Sequence, residues 1–226
     1  MDAVKVNVET GKKKVFVSAQ RWPGWSRSGK DLSSALLTFS SYASRYGEIL
    51  QSAGISDPLP SASIPCKIIE QLPGNATTDF GAPSTIFQSD HQPLSQDDFD
   101  RYASILQASW ARFDAAVGSA SGKELIKGPR GGGRDLDQII DHIIDADIAY
   151  LPRIAWKYNR LPLESPSAPL DHIRKEIQLA LAKALNEGLP TKGPRGETIW
   201  PVRYYFRRSI WHILDHAWEI EDRLFN

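Results

Sequence analysis

One cysteine, Cys66, is all the thiol the chain carries. That excludes an internal disulfide and suits a reducing compartment. Neither sign of charge is in excess, since 27 Lys and Arg balance 27 Asp and Glu. Nucleic-acid and membrane surfaces need a local surplus of cations, so nucleic acid is not an expected partner. No stretch approaches the roughly 20 consecutive apolar residues that span a bilayer, and no membrane is expected either. The opening "MDAVKVNVETGKKK" alternates polar and apolar residues and lacks the continuous apolar centre of a signal peptide. A cytoplasmic location is the resulting expectation. With 226 residues there is room for one large domain or two small ones, each with a core.

What is present falls into two halves with different periods. Val4, Val6 and Val8 alternate with Lys5, Asn7 and Glu9, Thr10-Gly11 turns the chain, and Val15, Val17 and Ala19 resume the alternation. This predicts a hairpin with one buried face. "RWPGWSRSG" contains a Pro-Gly turn, and Asp31 is placed to cap a helix in which Leu36, Phe39, Ala43, Tyr46 and Leu50 recur at helical spacing. "CKIIEQL" reads as a further strand. Residues 76–94, within a Gly-, Pro-, Ser- and Thr-rich stretch without a clear period, read as a connection.

From Ser95 the period becomes 3.6. Ser95 and Asp98 have capping-box spacing, and Phe99, Tyr102, Leu106, Phe113 and Val117 make an apolar stripe. A second helix is predicted from about Arg134 to Tyr158, with Ile140, Ile143, Tyr150 and Ile154 on one side and a kink at Pro152. A third runs from about Ser167 to Glu187 through Leu170, Ile173, Ile177, Leu181 and Ala184. The last begins near Trp200-Pro201. The expected fold class is therefore α+β in two parts: residues 1–75 a small α+β domain, 76–94 a linker, and 95–226 a four-helix bundle.

On the last helix Phe206, Ile210, Ile213, Ala217, Ile220 and Leu224 form the core seam. One residue earlier each time runs a second line: Tyr205, Ser209, His212, His216, Glu219 and Arg223. His212 and His216 are thus one turn apart, roughly 6 Å along the axis, and share a face. Two imidazoles so spaced can grip one ion. They equally suit a solvated flank or satisfied core positions, and a metal site needs a third donor. His91 and His172 read as surface residues. His142 stands among isoleucines in "QIIDHIIDADIAY", with the small Ala146 and Ala149 on its own face. Asp145, Asp147, Asp215 and Glu219 are acids near these histidines in sequence.

"DLDQIIDHIIDADIAYL" followed by "WHILDHAWEIEDR" resembles the DinB superfamily of metal-binding four-helix bundles, over about residues 95–226. The resemblance implies that His142, His212 and His216 hold a divalent ion, zinc or nickel. It also implies enzymes that use low-molecular-weight thiols, transferases and isomerases with some hydrolases, acting on small thiols or electrophiles. "VFVSAQRWPGWSRSGKDLSSALLTFSSYASRY" is similar to the HicB-like fold over about residues 1–55, which implies a partner-binding module. Glu219 is the candidate to orient a ring or move a proton, although an ion pair with Arg223 is the more ordinary reading. "GPRG" occurs at Gly128–Gly131 and Gly193–Gly196, so Arg130 and Arg195 are candidates to meet a carboxylate-rich thiol cofactor, or are simply solvated turn residues. A non-catalytic metal-holding bundle fused to an interaction module, related to stress, is the alternative function. The oligomeric state is open, with a homodimer among the expectations.

Overall fold

The computed structural model describes residues 3–56, 65–127, 133–158, 168–193 and 196–225. The chain is mixed α and β, with a sheet in the N-terminal part followed by long helices. It forms two compact units, Met1–Arg112 with Phe206–Leu214, and Phe113–Tyr205 with Asp215–Asn226. Among the described residues no helix is long and apolar enough to cross a membrane.

In the first unit, β1 (Val4–Thr10) and β2 (Val15–Ala19) form the expected hairpin, with Val8 opposite Val17 and Thr10 opposite Val15. β3 (Ser26–Gly29) pairs antiparallel with β2, and β4 (Cys66–Pro73) runs parallel to β1, giving the order β3-β2-β1-β4. The Pro-Gly turn depends on Gly24. Its φ is +89°, and a Cβ there would meet the Ile210 side chain. Trp25, just after the turn, stacks on Phe39 at 4.2 Å and donates its indole N–H to the Phe39 carbonyl.

Asp31 caps α1 (Leu32–Ser41) through a capping box with Ser34. The single helix predicted here is two helices, because the chain breaks at Tyr42 before α2 (Ala43–Ser52). Phe39, Ala43, Tyr46 and Leu50 are buried as expected, whereas Leu36 is only half-buried and Ala35 takes the inner place.

The hairpin differs from expectation in one respect. Alternation predicts one covered face, yet Asn7, Glu9, Ser18 and Ser26 are buried along with the valines. The cover comes from residues read as a connection. Residues 76–94 carry α3 (Ala76–Phe80) and a 3-10 turn, Gln88–His91. The Glu9 carboxylate accepts hydrogen bonds from the Thr78 hydroxyl at 2.8 Å and from the backbone of Ser84 and Thr85, both at 3.0 Å. Asn7 donates to Ser89 at 3.0 Å. A buried carboxylate needs such a set of donors. The buried pair Arg207–Asp90 closes the arrangement, and Arg207 also donates to the Thr85 carbonyl.

Four long helices follow: α4 (Gln96–Ala120), α5 (Leu136–Tyr150), α6 (Ala168–Glu187) and α7 (Val202–Phe225). At the start of α4 the Asp98 N–H donates to Ser95 Oγ at 3.2 Å. In the second unit, α5 is shorter than predicted. It gives way to a 3-10 turn, Leu151–Ile154, because Pro152 has no N–H to donate and its ring crowds the preceding turn. The buried stripe of α5 is Ile139, Ile143, Ile144 and Asp147, with Ile140 and Tyr150 only half-buried. On α6 the stripe is Ile173, Ile177, Leu181 and Ala184, as predicted, and Leu170 is half-buried. Arg174 of α6 grips both oxygens of Asp114, at 2.7 and 2.8 Å, and Trp156 donates to Glu176 at 2.7 Å.

Candidate metal centre

Helix α7 positions two of the three histidines. Its Phe206, Ile210, Ile213, Ala217 and Ile220 are all buried. So are Tyr205, Ser209, His212 and His216 on the neighbouring line, with His212 5 % and His216 7 % exposed. A helix buried nearly all round leaves few ways to satisfy two imidazoles. They stand one turn apart on the same face, as their spacing requires.

His142 comes from α5, one position before the buried Ile143 and half-exposed itself. Asp135 caps this helix by a capping box with Gln138, which fixes where it starts. The His142 and His216 rings meet edge to face, with centroids 5.0 Å apart. One ligand nitrogen from each of His142, His212 and His216 lies within 4.8 Å of the other two. Three imidazoles from two helices can therefore hold a single metal ion.

The electrostatics favour that use. Burial, then the Arg134 guanidinium and the neighbouring His216 ring, depress the His142 pKa below the usual 6.5 against the pull of Glu219 and Asp145. The depression favours the neutral ring, the form that ligates. Nδ1 of His216 lies 2.8 Å from Glu219 Oε2, and the other Glu219 oxygen accepts from Arg223 at 2.8 Å. Burial by itself would raise the Glu219 pKa. The bonds from His216 and Arg223 outweigh it and hold the carboxyl below the usual range. Arg223 is itself anchored, donating to the Ile126 carbonyl at 2.9 Å.

The other sequence candidates have differing surroundings. His91 is exposed, and His172 is half-buried with its ring 5.6 Å from Tyr158. Arg130 and Arg195 lie outside the described residues. Glu219 makes both contacts considered for it, to a ring and to Arg223. Asp145 is exposed and Asp215 half-buried, whereas Asp147 is buried completely. Burial raises the Asp147 pKa to about 7, with Arg174 pulling the other way. The spacing Ile143–Asp147–Leu151, one turn at each step, puts this acid in line with two apolar residues, which is the only signal the sequence carries for it. Comparison of the chain with family models, with curated proteins and with solved structures returned no match.

Proposed function

We propose that the chain is a divalent-metal-dependent enzyme of the DinB kind. In this reading it activates a low-molecular-weight thiol or water for S-transfer, isomerisation or hydrolysis on a small electrophile. The observation that carries the reading is the mutual reach of His142, His212 and His216, each with a nitrogen within 4.8 Å of the others. The donor set fits the group, since three imidazoles suit zinc or nickel and leave coordination positions open. Bound there, such an ion supplies a Lewis acid that lowers the pKa of a thiol or water.

The remaining roles belong to the chain. Glu219 is placed to accept the Nδ1–H of His216, which would leave the Nε2 lone pair of that ring free to ligate an ion. Arg223 holds Glu219 ionised and in place. His142 is the ligand with solvent beside it, and Ala146, one turn further along α5, is small. Substrate approach from that side is consistent with both features. The HicB-like reading of the first half belongs to the same proposal, as a partner-binding module.

The test is metal content of the purified protein beside His142→Ala, followed by conjugation assays with several thiols and electrophiles with and without metal. The reading expects about one ion per chain, lost in His142→Ala, and turnover that disappears in His216→Ala. Full occupancy with no turnover across a broad panel makes the protein a non-catalytic metal-binding one instead.

A further inference from the structure

Strand β4 lies at the edge of its sheet. β1 pairs with one side of it, and among the described residues no strand pairs with the other. An edge strand presents backbone N–H and C=O groups that can template a further strand. This one also exposes apolar side chains, Ile68 by 38 % and Ile69 by 44 %. Charge is the usual protection of such an edge, and β4 carries a single lysine, Lys67.

The strand also carries a bulge. Val6 pairs with Ile68 and Asn7 with Glu70, so Ile69 is an extra residue without a counterpart on β1. Regular alternation puts residues three apart on opposite faces of a sheet. The bulge undoes this. Lys67 lies beside Lys5 and Glu70 beside Asn7, which are two apart on β1, so Lys67 and Glu70 share a face. Glu70 is held there, its Oε2 accepting from the Gln88 backbone at 2.9 Å. Cys66 and Gln71, beside Val4 and Val8, share the other face.

The extra residue selects the strand that fits. A regular strand laid along β4 falls out of step by one residue at Ile69. A second copy of β4, related by a two-fold axis through the bulge, has the same extra residue at the matching place and stays in step. In that antiparallel register Lys67 faces Glu70 of the second copy, Ile68 faces Ile69, and Cys66 faces Gln71. Opposite side chains in an antiparallel ladder lie on one face. The shared faces of Lys67 with Glu70 and of Cys66 with Gln71 meet that condition, and the charges facing one another are of opposite sign.

We propose that β4 pairs antiparallel with β4 of a second copy of this chain, joining the two sheets into one. A Lys67–Glu70 pair stands on either side of the isoleucines at the axis. One pair of strands is a small interface, so the association is weak and reversible. No residue of the histidine cluster takes part, and the proposal stands apart from the metal reading.

Sedimentation of the full chain, from micromolar to near-millimolar concentration, reads the association. A monomer–dimer equilibrium is expected. Lys67→Glu and Glu70→Lys each set like charges opposite one another and weaken the dimer by roughly tenfold. Mixed together, the two variants bring opposite charges face to face again, and association returns close to that of wild type. An attraction within one chain cannot produce this rescue. Ile69→Lys, at an exposed position, weakens the dimer independently, so the test survives if Glu70→Lys fails to fold. Monomers at every concentration would overturn the proposal and leave the edge to a different chain. So would a dimer indifferent to Lys67→Glu and Ile69→Lys, or a mixture of folded variants no more associated than its components.

Discussion

Glu219 stands between His216 and Arg223, holding a ring nitrogen at 2.8 Å with one oxygen and a guanidinium at 2.8 Å with the other. The three residues share one line of α7, so the orientation of a candidate ligand is set within a single helix. A ligating imidazole gains basicity and a defined tautomer from such a carboxylate.

Replacing Glu219 by Gln keeps the shape and removes the charge. Metal affinity, measured by competition with a chromogenic chelator, is expected to fall by about 10- to 100-fold. Far-ultraviolet circular dichroism stays unchanged, which separates loss of orientation from loss of fold.

Asp147 ties stability to pH. In the folded protein its carboxyl stays protonated up to about pH 7, whereas in the unfolded chain it ionises near its ordinary 3.8. The folded state therefore binds the extra proton between those values, and stability falls as pH rises from about 4 to about 7, then levels. The share due to this residue is on the order of a few kcal/mol. Urea denaturation of wild type and Asp147→Asn across that range measures it, and the difference between the two must grow with pH in favour of the variant.

The buried pair Arg207–Asp90 joins α7 to the segment covering the sheet, with the Phe87 ring 5.0 Å from the guanidinium. Arg207→Leu leaves a buried carboxylate without its cation and is expected to cost about 3–5 kcal/mol. Asp90→Ala combined with Arg207→Leu costs less than the sum of the two single changes, which a double-mutant cycle in urea reads directly.

Gly24→Ala forces a left-handed φ of +89° on a residue with a Cβ and drives that atom into Ile210. The backbone strain is worth about 1–3 kcal/mol, and the clash adds to it. Ile210→Val keeps the Cβ and Cγ2 that the new atom meets first, so thermal melting of the double variant recovers none of the loss.

Much of the local structure was legible because it depends on neighbours in sequence. Asp31 and Asp135 cap helices through groups three residues away. The register of Val8 with Val17 follows from a short hairpin, and the stripe Ile173–Ile177–Leu181 follows from helical pitch. What was missed depends on distant partners. The Glu9 face was expected to be open, because alternation says which way a side chain points and not what lies opposite. Of the stripe expected on α5, Ile143 and Ile154 are buried but Ile140 and Tyr150 are not, because the isoleucines of "QIIDHIID" allow more than one rotation of the helix.

Sequence alone determined that His212 and His216 share a face, since a turn of helix is fixed by backbone hydrogen bonding within the chain. It also determined the change from period two to period 3.6, and with it the succession of sheet and helices. Tertiary structure alone decided that His142 comes within reach of that pair, and that Asp147 is buried without a hydrogen bond to its Oδ1 among the described residues. Both outcomes depend on how α5 is rotated and on what packs against it, and packing between elements distant in sequence is a property of the folded chain that no local spacing encodes.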